Sequence, residues 1–153
     1  MKIMFRLANL SDIERICEIE AECFKEPYKR SDIEYEISKN PVNKFVLALD
    51  NNQIIGFIDF MITFNSATIN QIAVTKDMRN KGVATLLLNI METYFPKEGE
   101  DVVENVTLEV RKSNVPALNL YEKNKYEMIT IKPHYYADGE DAVYMVKRLL
   151  LCR

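Results

Sequence analysis

The segment Asn70–Asn89, N-Q-I-A-V-T-K-D-M-R-N-K-G-V-A-T-L-L-L-N, restricts this chain more than any other. An apolar strand (Ile72, Ala73, Val74) enters a polar turn, Thr75 to Lys81, that carries Lys76, Arg79 and Lys81. The turn reaches Gly82 and then an apolar helix through Val83, Ala84, Leu86, Leu87, Leu88, Ile90 and Met91. The first N–H groups of a helix have no internal partner, and the helix dipole adds partial positive charge there. Gly82 removes a Cβ where a ligand would come close. The expectation is a phosphate-binding turn at residues 79–85. The plainer alternative is an ordinary strand-to-helix turn with a basic surface. Neither G-x-x-x-x-G-K-[ST] nor G-x-G-x-x-G is present.

The remaining bounds narrow the partner. Formal net charge is −3 over 153 residues, so an anion site must be local and direct nucleic-acid binding is not expected. With 48% apolar and 28% charged residues, the composition is that of a folded globular chain. No apolar run approaches the roughly 20 residues that span a bilayer, and M-K-I-M-F-R-L-A-N-L lacks signal-peptide features. The expectation is a cytoplasmic protein with no membrane association, monomeric or a homodimer. Cys17, Cys23 and Cys152 are odd in number and lack C-x-x-C spacing, which argues against a disulfide framework or zinc site. Cys17 and Cys23 read as buried helix thiols. A single histidine, His134, excludes a multi-histidine site, and no metal is expected.

Periodicity and breakers divide the chain. A strand at 2–7 precedes S-D-I-E at 11–14, a capping box with Ser11 as cap and Glu14 reaching back. Its helix ends at Pro27, and a second S-D-I-E at 31–34 starts a shorter helix stopped at Asn40-Pro41. Residues 45–49 and 53–64 form a hairpin about Asp50-Asn51-Asn52, followed by a strand at 67–74 and the helix at 82–94. A strand at 106–112, a helix from the Ser113-Asn114 cap to 124, and strands at 126–132 and 142–149 complete the chain. The order β-α-α-β-β-β-α-β-α-β-β implies an α/β (mixed α+β) fold. One domain over residues 1–153 is expected, with a central mixed, mostly antiparallel sheet of about seven strands and helices on both faces.

Two downstream features can carry chemistry. Thr107, Glu109 and Arg111 share one face of their strand. Glu109 is either a general base or a polar side chain of an edge strand, ion-paired with Arg111. Asn114 and Tyr121 lie two helical turns apart on nearly one face, with the small Ala117 between them. A phenol with pKa about 10 stays protonated at neutral pH and can give a proton to a thiolate. The alternative is a tyrosine packed in the core.

With these residues in place the chain resembles the GNAT superfamily of N-acetyltransferases. Arg79-x-x-Gly82-x-Ala84 after I-A-V is similar to that superfamily's acetyl-CoA pyrophosphate loop, [QR]-x-x-G-x-[GA]. Asn114-x-x-Ala117-x-x-x-Tyr121 resembles its second cofactor motif. L-E-V-R-x-S-N at 108–114 and Y-Y-x-x-x-E-D-A at 135–142 resemble the RimI type, which acetylates the N-terminal alanine of a ribosomal protein. The resemblance implies acetyl-CoA as donor. It implies that Ile72, Ala73 and Val74 offer backbone groups to the pantetheine arm and acetyl carbonyl. Asn80, Lys81, Gly82, Val83, Ala84 and Thr85 would wrap the pyrophosphate beside Arg79, and Asn114 and Ala117 would meet the cofactor. Glu109 would be the general base and Tyr121 the general acid, with Tyr135 and Tyr136 bordering a peptide substrate. Asp138, Glu140 and Asp141 crowd the loop beside Tyr135 and Tyr136 and are expected to attract a cationic peptide start, the plainer alternative being a solvated turn. The implied acceptor is a protein N-terminus. The alternatives are a small amine (polyamine, amino acid or aminoglycoside) and a non-catalytic acetyl-CoA sensor. Ala84 stands for the motif's second glycine, Lys125-Tyr126 for a frequent Gly-Phe pair, and the 96–105 loop is long for the family.

Overall fold

The structure, a computed structural model, describes residues 2–149. Its strands are β1 (Ile3–Leu7), β2 (Asn43–Asp50), β3 (Gln53–Thr63), β4 (Ser66–Val74), β5 (Asn105–Arg111), β6 (Glu127–Lys132) and β7 (Ala142–Arg148). Its helices are α1 (Ile13–Cys23), α2 (Arg30–Ser38), α3 (Val83–Glu92) and α4 (Val115–Lys123). The seven strands form one mixed sheet ordered β1-β2-β3-β4-β5-β7-β6. β1–β2, β2–β3, β5–β7 and β6–β7 pair antiparallel, and β4 pairs with β5 in parallel from Ser66↔Asn105 to Thr68↔Thr107. The expected order of elements is therefore the observed one.

Two compact units make up the chain: the described residues up to Met61 with Asn70–Tyr94, and Ile62–Ile69 with those from Phe95 on. In the first, α1 and α2 bury Ile13, Ile16, Ile19 and Ile33 against Phe45, Leu47, Leu49 and Phe57. Val46 and Ala48 point to the opposite face of β2 and are equally buried, and α3 lies against the same strand. Helices thus cover both faces there. Gly56 permits a tight approach of β3 to β4, because a Cβ on it would sit 2.5 Å from the Ala73 carbonyl oxygen. Asn51 and Asn52 turn the β2–β3 hairpin with φ of 50° and 64°, the left-handed pair a two-residue loop needs.

Neither expected capping box forms as read. Asn9 caps a 3-10 turn at Leu10–Asp12, and Asp12 completes the box by accepting from the Asn9 N–H at 2.9 Å. Ser11 sits inside that turn. The shift has a tertiary cause: Asp12 also receives the Arg6 fork at 2.8 and 2.9 Å, which ties β1 to the start of α1. At the second site α2 starts at Arg30, ahead of Ser31, with no side-chain cap at Lys29. Cys17 and Cys23 are half-buried free thiols of α1, both raised in pKa by burial. Cys152 lies outside the described residues. Among the described residues no helix is long and apolar enough to cross a membrane.

Candidate active site

In the first unit β4 ends at Val74, and a 3-10 turn at Lys76–Met78 leads to Arg79. Asn80 and Gly82 take left-handed φ values of 62° and 82°, and Gly82 is the N-cap of α3. Gly82 supplies no capping side chain, and the first turn of α3 holds no carboxylate. The positive end of the helix dipole is thus offered to an external anion rather than neutralised from within. A Cβ on Gly82 would meet no protein atom within 4 Å, so glycine answers a backbone requirement here and faces open space. Arg79, Asn80, Lys81 and Gly82 are exposed, Val83 is buried, and Ala84 and Thr85 are half-buried. These features fit a phosphate group.

Arg79 does more than the sequence suggests. Its Nε donates to the Val74 carbonyl at 3.0 Å, and its Nη2 approaches Cys23 Sγ at 3.4 Å. The guanidinium therefore clasps the turn onto the end of β4 and onto α1. Ala73 and Val74 are buried and Ile72 is half-buried. The Val74 carbonyl is engaged by Arg79 Nε.

In the second unit Glu109 sits on β5, past the end of that strand's pairing with β4 at Thr107 and opposite Tyr144 of β7. Lys132 of β6 donates from Nζ to Glu109 Oε1 at 2.8 Å. Asn114 caps α4 by accepting from the Ala117 N–H at 3.2 Å, with Pro116 in the first turn. Tyr121 is 6% exposed. Burial, followed by the neighbouring Tyr136, pushes its phenol above the ordinary range, which favours the protonated form.

The loop between β6 and β7 closes over the polar face of β5. Arg111 stacks 4.1 Å from the Tyr136 ring and pairs with Asp138 at 2.9 Å and Glu140 at 3.0 Å. Glu140 also accepts from the Ser113 N–H, and Asp141 accepts from that of His134. The three acidic residues expected to attract a cationic peptide are thus bound to the protein's own donors. Their main effect is to hold Tyr135 and Tyr136, whose rings meet edge to face at 5.1 Å. Tyr135 is half exposed. The tie from Arg111 and the pairing of Lys132 escape a reading of sequence neighbours, since both cross strands far apart in the chain. Strand alternation does place Thr130 and Lys132 together, the one signal available.

Comparison with known proteins bears on this arrangement. The model of the acetyltransferase (GNAT) family matches residues 13–126. An N-alpha-acetyltransferase from Saccharolobus solfataricus is 32% identical over 94% of this chain and 92% of its own length. A Bacillus subtilis protein, named as a candidate ribosomal-protein alanine N-acetyltransferase, is 31% identical over 94% of each chain. Among solved structures, the ribosomal-protein alanine N-acetyltransferase of Escherichia coli shares the fold. It has a TM-score of 0.87 at 24% identity, covering 99% of this chain and 97% of that one.

Proposed function

This chain belongs to the acetyltransferase (GNAT) family and is an N-acetyltransferase, and we propose that it moves acetyl from acetyl-CoA to the N-terminal α-amine of a protein. The observation that carries this is the presence, in one unit, of a buried phenol kept protonated and a carboxylate already binding a primary ammonium. A family match across residues 13–126 supports treating residues 1–153 as one acetyltransferase domain.

Acetyl-CoA, when bound, supplies an acetyl thioester. Gly82, Val83, Ala84 and Thr85 would receive its pyrophosphate on the uncapped start of α3, with Asn80 and Lys81 in the turn before it. Arg79 holds that turn in shape, and Asn114 and Ala117 at the start of α4 would offer further contacts to acetyl-CoA. Glu109 accepts the proton that the acceptor's ammonium must lose before it can attack. An α-amine has a pKa near 8, against about 10.4 for a lysine, so it needs less help to deprotonate. The N–H of Val74 steadies negative charge on the acetyl oxygen. Tyr121 gives its proton to the departing sulfur. Tyr135 and Tyr136 border the peptide. Relatives named N-alpha-acetyltransferases support the choice of acceptor, and a ribosomal-protein alanine terminus is the narrower form of that reading.

The test is CoA release with acetyl-CoA and a panel of free-N-terminus peptides, polyamines, amino acids and aminoglycosides. Turnover is expected on peptides with a small first residue, alanine included. Turnover on small amines alone would overturn the acceptor.

A further inference from the structure

On the reading that Glu109 is the base, we propose that Lys132 is a built-in stand-in for the acceptor's ammonium, a positioning residue that must leave Glu109 before an acceptor can be deprotonated. Lys132 Nζ lies 2.8 Å from Glu109 Oε1, 4.7 Å from the ring centroid of Tyr144 and 5.5 Å from that of Tyr135. One carboxylate and two aromatic faces are the surroundings that any primary ammonium favours. A protein N-terminus presents the same group.

The backbone puts Lys132 there by a specific device. Glu109 lies opposite Tyr144 of β7, and Tyr144 lies opposite Thr130 of β6. The β6–β7 register shifts between Met128 and Thr130, so that Ile129 has no partner across the ladder. Unshifted pairing would set Ile131 opposite Ala142; the shift sets Lys132 there, on the face that carries Glu109. Arg111 on that face is held by Asp138, Glu140 and Tyr136. The bond to Glu109 keeps the Lys132 ammonium more firmly protonated than usual, so Lys132 is a poor nucleophile itself. With side chains 40% and 23% exposed, the pair is open to exchange with an incoming ammonium. An ion pair so exposed amounts to about a two- to fivefold preference.

Lys132→Met keeps the apolar stem and removes the charge. For a free-N-terminus peptide, its KM should fall about two- to fivefold, with the gain in KM rather than kcat. Lys132→Arg retains a cation and should not lower KM. An unchanged or raised KM in Lys132→Met overturns the stand-in, as does a parallel shift in acetyl-CoA affinity, which would mark a general change in fold. Glu109→Gln reads the base separately. Full turnover in that variant sinks the base reading, whereas lost turnover with an unmoved KM in Lys132→Met sinks only the stand-in.

Discussion

Tyr126 meets Tyr121 edge to face across the end of α4, with ring centroids 5.6 Å apart. The two are the last contact of a Schellman ending. The Tyr126 N–H donates to the Tyr121 carbonyl at 2.9 Å and the Lys125 N–H to that of Glu122 at 3.1 Å. Lys125 takes φ +74° at the position glycine usually fills. Lys125 therefore closes α4 in the left-handed position, and the aromatic that follows, Tyr126, packs the proposed acid.

Replacing that acid by phenylalanine keeps the ring contact and removes the proton. Tyr121→Phe should lower kcat by roughly 100-fold, the scale of general acid catalysis, and leave the acetyl-CoA dissociation constant nearly unchanged. Because burial holds the phenol above its usual range of about 10, the wild type should show no Tyr121-dependent loss of kcat on the alkaline side of neutrality. Unchanged turnover in the variant would end the assignment.

Glu109→Gln should cost more near pH 7 than near pH 9. At the higher pH an α-amine of pKa about 8 sheds its own proton and no longer needs a base. A pH–rate profile of both proteins decides this, and an equal loss at the two pH values would remove Glu109 from the role.

Gly82→Ala places a Cβ on a residue at φ +82°. A left-handed L-residue costs roughly 1–2 kcal/mol, and relief by moving the turn spoils the row of donors. Acetyl-CoA affinity measured calorimetrically should drop by about five- to thirtyfold. Affinity equal to the wild type would disconnect this turn from the cofactor.

Asp59 controls stability with pH. It is fully buried on β3, accepts from Asn43 Nδ2 at 2.6 Å, and is pushed by burial from 3.8 to about 7. Below the unfolded value both states carry the proton. As pH rises toward 7 the unfolded chain releases it while the folded one retains it, so stability falls across that window and levels off above. The shift caps the loss at about 4 kcal/mol. Asp59→Asn should flatten most of this decline in denaturant midpoints measured from pH 4 to 8. Glu20, raised in the same direction by burial, leaves a residual slope. An unaltered slope would show that Asp59 ionises normally.

The order of elements and the turn before α3 were readable in the sequence. Alternation, glycine, proline and cap residues act between neighbours, so the information is local. Tertiary structure decided what distant strands bring together. The cap moves from the expected Ser11 and Glu14 to Asn9 and Asp12, and Arg6 of β1 holds Asp12 there. Glu109 pairs with Lys132 because β7 lies between β5 and β6 and a one-residue register shift selects which β6 side chain faces it. Burial, a property of the packed chain, raises the phenol of Tyr121. The residues proposed for proton transfer were visible in the sequence, but their partners and charge states follow from sheet order and burial, which no stretch of sequence contains by itself.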